Sequence, residues 1–185
     1  MTTPLHYAIQ GGLNAMQLLL EHGANVDVKD KWGRTPLHCA SSEGRDITMQ
    51  FLIDHGADVN IKNGAGRTPL DCAMRNRDIW IMRLLLDHGA KVNASSAEGT
   101  PLHQASYYGY TDGMKLLLDY DANVNARDRH NKMPLHCTRD IDAMKLLLDH
   151  GANVNAKDKD GYTPLRRGVY NADKVRLLKS YGAYE

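Results

Sequence analysis

The chain has 185 residues, 42% of them apolar, and 23 Lys and Arg against 22 Asp and Glu leave a formal net charge of +1. That is enough apolar material for one globular unit, and too little charge imbalance for a nucleic-acid arm or an acidic tail. No apolar run approaches the roughly 20 residues of a membrane span, the start Met1-Thr2-Thr3-Pro4 has neither part of a signal peptide, and three cysteines without C-x-x-C spacing predict reduced thiols in the cytosol.

The first element predicted along the chain is a helix opening at Thr3-Pro4-Leu5-His6. The same opening returns at Thr35-Pro36-Leu37-His38, Thr68-Pro69-Leu70-Asp71, Thr100-Pro101-Leu102-His103, Met133-Pro134-Leu135-His136 and Thr163-Pro164-Leu165-Arg166, in steps of 32, 33, 32, 33 and 30 residues. Threonine caps a helix by accepting a bond from an early backbone N–H, and proline at the first helical position gives up an N–H that has no partner there. All six prolines of the chain occupy this one position, so none is left to break a helix elsewhere. A second helix follows in each unit, ending in a leucine run: Leu18 to Ala24, Leu52 to Ala57, Leu84 to Ala90, Leu116 to Ala122, Leu146 to Ala152 and Leu177 to Ala183. Gly23, Gly56, Gly89, Gly151 and Gly182 suit the left-handed turn that closes it. The polar stretches between units, such as Asn60 to Arg67 and Asn125 to Lys132, read as projecting turns. Helix pairs of this size must stack to bury their leucines.

A period near 33 carrying T-P-L-H-x-A and L-L-x-x-G-A-x-V-N, as in Leu52 to Asn60 and Leu147 to Asn155, resembles the ankyrin repeat over essentially the whole chain. The resemblance implies an all-α dominated solenoid of helix-turn-helix units with β-hairpin or turn fingertips and a concave helical face. It divides the chain into a single domain of six repeats, about 1–27, 28–60, 61–93, 94–125, 126–155 and 156–185. It also implies a possible modification: an asparaginyl hydroxylase acts on the asparagine of the V-N step with a leucine eight residues before it. Asn60, Asn93, Asn125 and Asn155 match, through Leu52, Leu85, Leu117 and Leu147.

Several units depart from the pattern. In the fifth, Met133 replaces the capping threonine, and His136 to Gly151 is 15 residues where the second and third units have 18, which reads as a shortened inter-helix loop. The fourth has Asp121 in place of the closing glycine and a shorter fingertip, Ala94 to Gly99. The sixth carries Arg166, Arg167, Gly168, Arg176 and Lys179, the polar rewriting a terminal cap needs. The first unit has no preceding fingertip, so it either caps itself or belongs to a longer protein.

Candidates for chemistry are few. Eight of the nine histidines sit at two fixed repeat positions, His130 alone stands outside, and no two lie three or four residues apart as a helical zinc pair requires. Cys39, Cys72 and Cys137 share one position and read as small side chains on a helix face. Met16, Met49, Met82, Met114 and Met144 share another and read as core. No phosphate loop, nucleophile elbow or dinucleotide fingerprint occurs. Neither an enzyme nor a bound cofactor or metal is expected.

A fixed frame leaves its variable exposed positions to carry recognition. On that ground the expected partner-binding residues are Lys31, Trp32, Arg34, Arg67, Arg75, Tyr107, Tyr108, Arg129, His130 and Tyr162, since aromatics beside arginines are the usual anchors of protein interfaces. Trp80 opens a second helix and is either an exposed apolar spot on the back face or, the favoured expectation, packed against Met49 or Ile47. The expected function is a monomeric protein-binding scaffold, using fingertips and helical face on a partner with acidic character. It would work in the cytoplasm, or in a host cytosol if the source is a virus or intracellular bacterium. The alternatives are a spacer or fragment of a larger multidomain protein and, disfavoured by the interspersed acids, a nucleic-acid binder. Loss of the threonine cap costs about 1 kcal/mol. Amide hydrogen exchange is therefore expected to be fastest among internal repeats over residues 133–150; uniform protection would contradict this.

Overall fold

A threonine–proline start, a short helix, a tight turn and a leucine-ended helix recur throughout. The computed structural model describes residues 2–168 and 171–184. The chain forms two compact units, Met1–Lys91 and Val92–Glu185. The first holds α1 (Pro4–Gly11), α2 (Leu13–Glu21), α3 (Pro36–Glu43), α4 (Asp46–Asp54), α5 (Pro69–Asn76) and α6 (Ile79–Asp87). The second holds α7 (Pro101–Tyr108), α8 (Thr111–Asp119), α9 (Pro134–Cys137), α10 (Ile141–Asp149), α11 (Pro164–Arg167) and α12 (Ala172–Ser180). No strand occurs among the described residues, only an isolated antiparallel bridge from Ser96 to Gly99. The fingertips are therefore turns, not the hairpins that the resemblance also allowed.

Within the first unit α1 packs on α2 and α3, α3 on α4 and α5, and α4 on α6; within the second α7 packs on α8 and α9, α8 on α10, and α9 on α10 and α11. The leucine of every Thr-Pro-Leu step is buried, and so are the five methionines that share one position, which confirms them as core. A short helix pair cannot hide such side chains by itself, so each depends on its neighbour for burial.

The glycines that close the second helices have φ between 81° and 84°, and Asp121 takes the same left-handed conformation at φ 61° without being a glycine. His22, His55, His88 and His150, just before that turn, each place Nδ1 2.8 Å from the carbonyl four residues back. That explains one of the two histidine positions. Those carbonyls also accept the histidine's own backbone N–H at 3.1 to 3.2 Å, so the imidazole adds a second bond at the helix end.

The other position ties repeats together. Nε2 of His6, His38 and His103 lies 2.8, 3.0 and 2.9 Å from the backbone carbonyls of Arg34, Arg67 and Lys132 in the next fingertip, and Nε2 of His136 reaches those of Ala156 and Tyr162. A carbonyl only accepts, so Nε2 carries the proton and Nδ1 is the acceptor. Nδ1 accepts from the backbone N–H of Thr35, Thr100 and Met133 at 3.1 to 3.2 Å, and lies 2.8 Å from the hydroxyls of Thr3, Thr35 and Thr100. The hydroxyls of Thr68 and Thr163 cap in the expected way, accepting from the N–H of Asp71 and Arg166 at 3.3 Å. Met133 thus loses a hydroxyl but keeps the histidine link. The shortening of the fifth repeat falls on its first helix, where α9 has 4 residues and α3, α5 and α7 have 8, and not on the loop alone.

The V-N asparagines form a second set of links. Asn60 Nδ2 donates to the Gly89 carbonyl at 3.0 Å and its Oδ1 accepts from Lys91 N–H at 2.8 Å; Asn93, Asn125 and Asn155 do the same one repeat on. Asp27 holds this place in the first repeat, and its two oxygens accept only, from Asp58 N–H. Burial, followed by the facing Asp58 carboxylate, raises its pKa against the pull of that bond.

Burial lowers the pKa of His38, His103 and His136 below the usual imidazole value, outweighing their bonds to carbonyls. An imidazole whose folded pKa is depressed contributes stability that is full above its ordinary value and is lost as pH falls toward the folded one, because the unfolded chain takes up the proton first. The thermal unfolding midpoint is expected to fall between about pH 7.5 and about pH 5.5, above the main carboxylate range. A flat midpoint across that interval, followed by circular dichroism, would contradict the neutral-histidine frame.

Candidate functional site

Recognition residues have to stand clear of the frame, and the fingertips show which do. Each tip is held by one side chain. Oδ1 of Asp30 accepts from the N–H groups of Trp32 and Arg34 at 2.8 and 2.9 Å, and Asn63, Asp128 and Asp158 repeat the pattern. Asp30 and Asp158 are buried, so these acids belong to the fold and not to a charged edge. Burial by itself would raise their pKa, but the N–H donors and the guanidinium of Arg34 or Arg167 outweigh it and lower both.

In the first unit Trp32 projects from its tip with 53% of its surface open. Lys31 Nζ sits 4.2 Å and the Arg34 guanidinium carbon 4.5 Å from its ring, within cation–π range. Arg34 also donates to Asp30 Oδ2 through Nε at 2.8 Å, with a second contact at 2.8 Å, so it is half a structural clamp. Arg67 is partly buried, its carbonyl taken by His38. Arg75 is exposed in the last turn of α5. The tips touch within the unit: Gly64 N–H donates to the Trp32 carbonyl at 2.9 Å, and a Cβ on Gly64 would lie 2.7 Å from that oxygen, so only glycine fits.

The second unit brings four of the expected residues together. Tyr107 and Tyr108, at the end of α7, are 54% and 49% exposed and meet edge to face with centroids 5.1 Å apart. With Arg129 and His130 from the next tip they line one groove of about 290 Å³, joined by Glu98, Asp128 and Lys132. Arg129 Nε–H donates to His130 Nε2 at 3.0 Å. Tyr162 does not line this groove; its ring is covered by Arg166 and Arg167, with guanidinium carbons at 4.3 and 5.2 Å.

Trp80 is half exposed. Met49 is fully buried, yet Trp80 is 49% and Ile47 67% exposed, because Ile81 and Met82 take the inward face of α6. Sequence reading also passed over Arg139, whose guanidinium carbon lies 5.6 Å from the Tyr107 ring centroid. The shortened fifth repeat that places it there was the available signal.

The thiols are poorly suited to attack, since burial raises Cys72 and pushes Cys39 and Cys137 up to about 11. His6, Asp30 and Cys39 hold ligand atoms within 4.8 Å of one another. Both ring nitrogens of His6 are engaged by Thr3 and the Arg34 carbonyl, and Asp30 by Arg34 and its own turn, so the trio serves the fold.

The sequence profile of the family described as ankyrin repeats (3 copies) matches residues 1–63, 50–128 and 102–184. The chain belongs to the ankyrin-repeat family. Its structure is similar to the crystal structure of the ankyrin repeat domain of Bcl-3, a member of the IkappaB family, with a TM-score of 0.90 at 30% identity, covering 98% of this chain and 87% of that one. Shorter stretches resemble rabankyrin-5 of Mus musculus, 50% identical over 46 residues, and cyclin-dependent kinase inhibitor 2A of Monodelphis domestica, 40% identical over 48 residues. These cover 24% and 25% of the chain but only 4% and 28% of the relatives' own lengths. Ankyrin repeats of this kind are protein–protein interaction modules. No helix among the described residues is long and apolar enough to cross a membrane.

Arg34 and Arg129 separate frame from surface. Arg34→Ala removes the partner of a buried carboxylate and is expected to cost about 1–3 kcal/mol in urea unfolding, whereas Arg129→Ala is expected to stay within about 0.5 kcal/mol of the parent.

Proposed function

We propose that this ankyrin-repeat domain holds a segment of a partner protein against its fingertips and first-helix surface, and that the partner's surface is acidic. The observation that carries the reading is the groove of the second unit. Two exposed tyrosines in edge-to-face contact stand beside Arg129 and His130, on a frame whose own polar groups are tied to one another. Rigid aromatics next to arginine give large contact area at small entropic cost. Trp32, with Lys31 and Arg34 against its ring, offers a second anchor in the first unit. Cations at both anchors support the acidic partner. Three free cysteines with raised pKa support a reducing, cytosolic setting.

The asparagine hydroxylation implied by the family resemblance is proposed only for locally opened repeats. Asn60, Asn93, Asn125 and Asn155 use both side-chain polar atoms in links to the next repeat, and Leu52, Leu85, Leu117 and Leu147 are buried.

The test is affinity capture from lysate with the parent chain and a Trp32→Ala, Tyr107→Ala, Tyr108→Ala, Arg129→Ala variant of equal helicity. A protein retained by the parent and lost by the variant is the expected result. Equal capture by both refutes the surface. Capture of nothing favours a spacer, and release of bound nucleic acid by salt favours the nucleic-acid alternative.

A further inference from the structure

The missing helical turn of the fifth repeat leaves a hole. α9 stops at Cys137, Thr138 is extended at φ −73° and ψ 139°, and α10 begins at Ile141, seven residues after Pro134, where α6 begins ten after Pro69. The vacated space is a cavity of about 280 Å³, with Leu135, Cys137 and Met144 in its lining and Tyr107 as one wall. Tyr107 and Lys132 also line the groove described above, so the two cavities are neighbours across that ring.

The charged side chains that line the hole have one sign. Lys132, Arg139, Arg167 and Lys174 line it, and none of the lining residues is a carboxylate among those described. Arg167 is matched by Asp158 and Asp160. The carboxylate of Asp140 is turned to its own helix, accepting from Ala143 N–H at 2.8 Å. Crowding shows in Lys174, whose pKa is lowered by burial and then by Arg139, with Asp140 opposing.

We propose that this cavity is a subsite for a phosphomonoester on a partner's side chain, a phosphoserine or phosphothreonine, and the proposal rests on the protein-binding reading above. Arg139 supplies a planar fork suited to paired oxygens, and Lys132 and Lys174 supply point charges. The charge balance favours a dianion. With Arg167 already matched, a single carboxylate would leave most of the remaining positive charge unanswered, whereas a phosphomonoester brings close to two negative charges and three acceptor oxygens. A nucleic-acid backbone presents phosphates in a row and calls for a track of cations, not one enclosed cluster.

The experiment is a titration of the isotope-labelled full chain with N-acetyl-O-phosphoserine amide, N-acetyl-glutamate amide and a short single-stranded oligonucleotide, read by backbone amide shifts. Expected are saturating shifts at Thr138, Arg139 and Gly168 with phosphoserine, weaker binding of glutamate, and a Kd raised about fivefold or more by Arg139→Gln and by Lys174→Gln. Lys145→Gln, on the exposed face of α10, should leave the Kd unchanged, and all variants should melt with the parent. The proposal is overturned if shifts are scattered and do not saturate, if Arg139→Gln binds as the parent does, if glutamate binds as tightly as phosphoserine, or if only the oligonucleotide binds. The probe is a small molecule, so this outcome is independent of protein capture. Capture without phosphoserine binding removes the subsite alone, and phosphoserine binding without capture removes the wider surface.

Discussion

The structure depends on an imidazole bonded at both nitrogens. In the units that carry P-L-H, Nδ1 accepts at the start of its own helix while Nε2–H reaches a carbonyl in the next fingertip. One side chain thereby caps a helix and fixes the spacing to its neighbour. It can do so only as the neutral Nε2–H tautomer, and burial of His38, His103 and His136 favours that state. The asparagine links between the turns that follow successive second helices complete a frame in which each repeat supplies bonding partners to the one before it. This is why units too small to bury a core by themselves hold together.

A frame so fully bonded sorts its charged residues into two kinds. Asp30 and Asp158 look in sequence like the acidic counterweights of a basic edge, yet they lie inside the turns and organise them. Arg34 and Arg167 pair with them from the surface. The cations left beside aromatic or imidazole rings are Lys31 at Trp32, Arg129 at His130, and Arg139 at Tyr107. Removing these acid–arginine pairs leaves the net charge of +1 unchanged, so the basic character of the proposed surface comes from where its cations sit.

The fifth repeat shows how a departure from the frame can create something. Met133 costs the histidine link nothing, since the bond uses the backbone N–H. The deletion matters more, because it falls on the first helix and opens a lined cavity next to the tyrosine groove. The sequence carried the deletion plainly, as 15 residues against 18, but a count of residues does not say which element absorbs the loss.

Helix starts, helix ends and the buried methionine and leucine positions were legible in the sequence, because each rests on local chemistry: proline's fixed φ, glycine's access to positive φ, and strict recurrence of apolar residues. Of the candidate site, Tyr107, Tyr108, Arg129 and His130 were legible as exposed aromatics and cations at variable positions. Their meeting in one groove was not, since it joins the end of α7 to a tip some twenty residues on. Tertiary structure also decided that Tyr162 lies outside that groove under two arginines, that Arg34 is partly structural, and that Trp80 stays open. In each case the deciding quantity is which side chains share a neighbour across repeats. A repeat pattern prescribes the frame's neighbours, but leaves those of its variable residues to the packing.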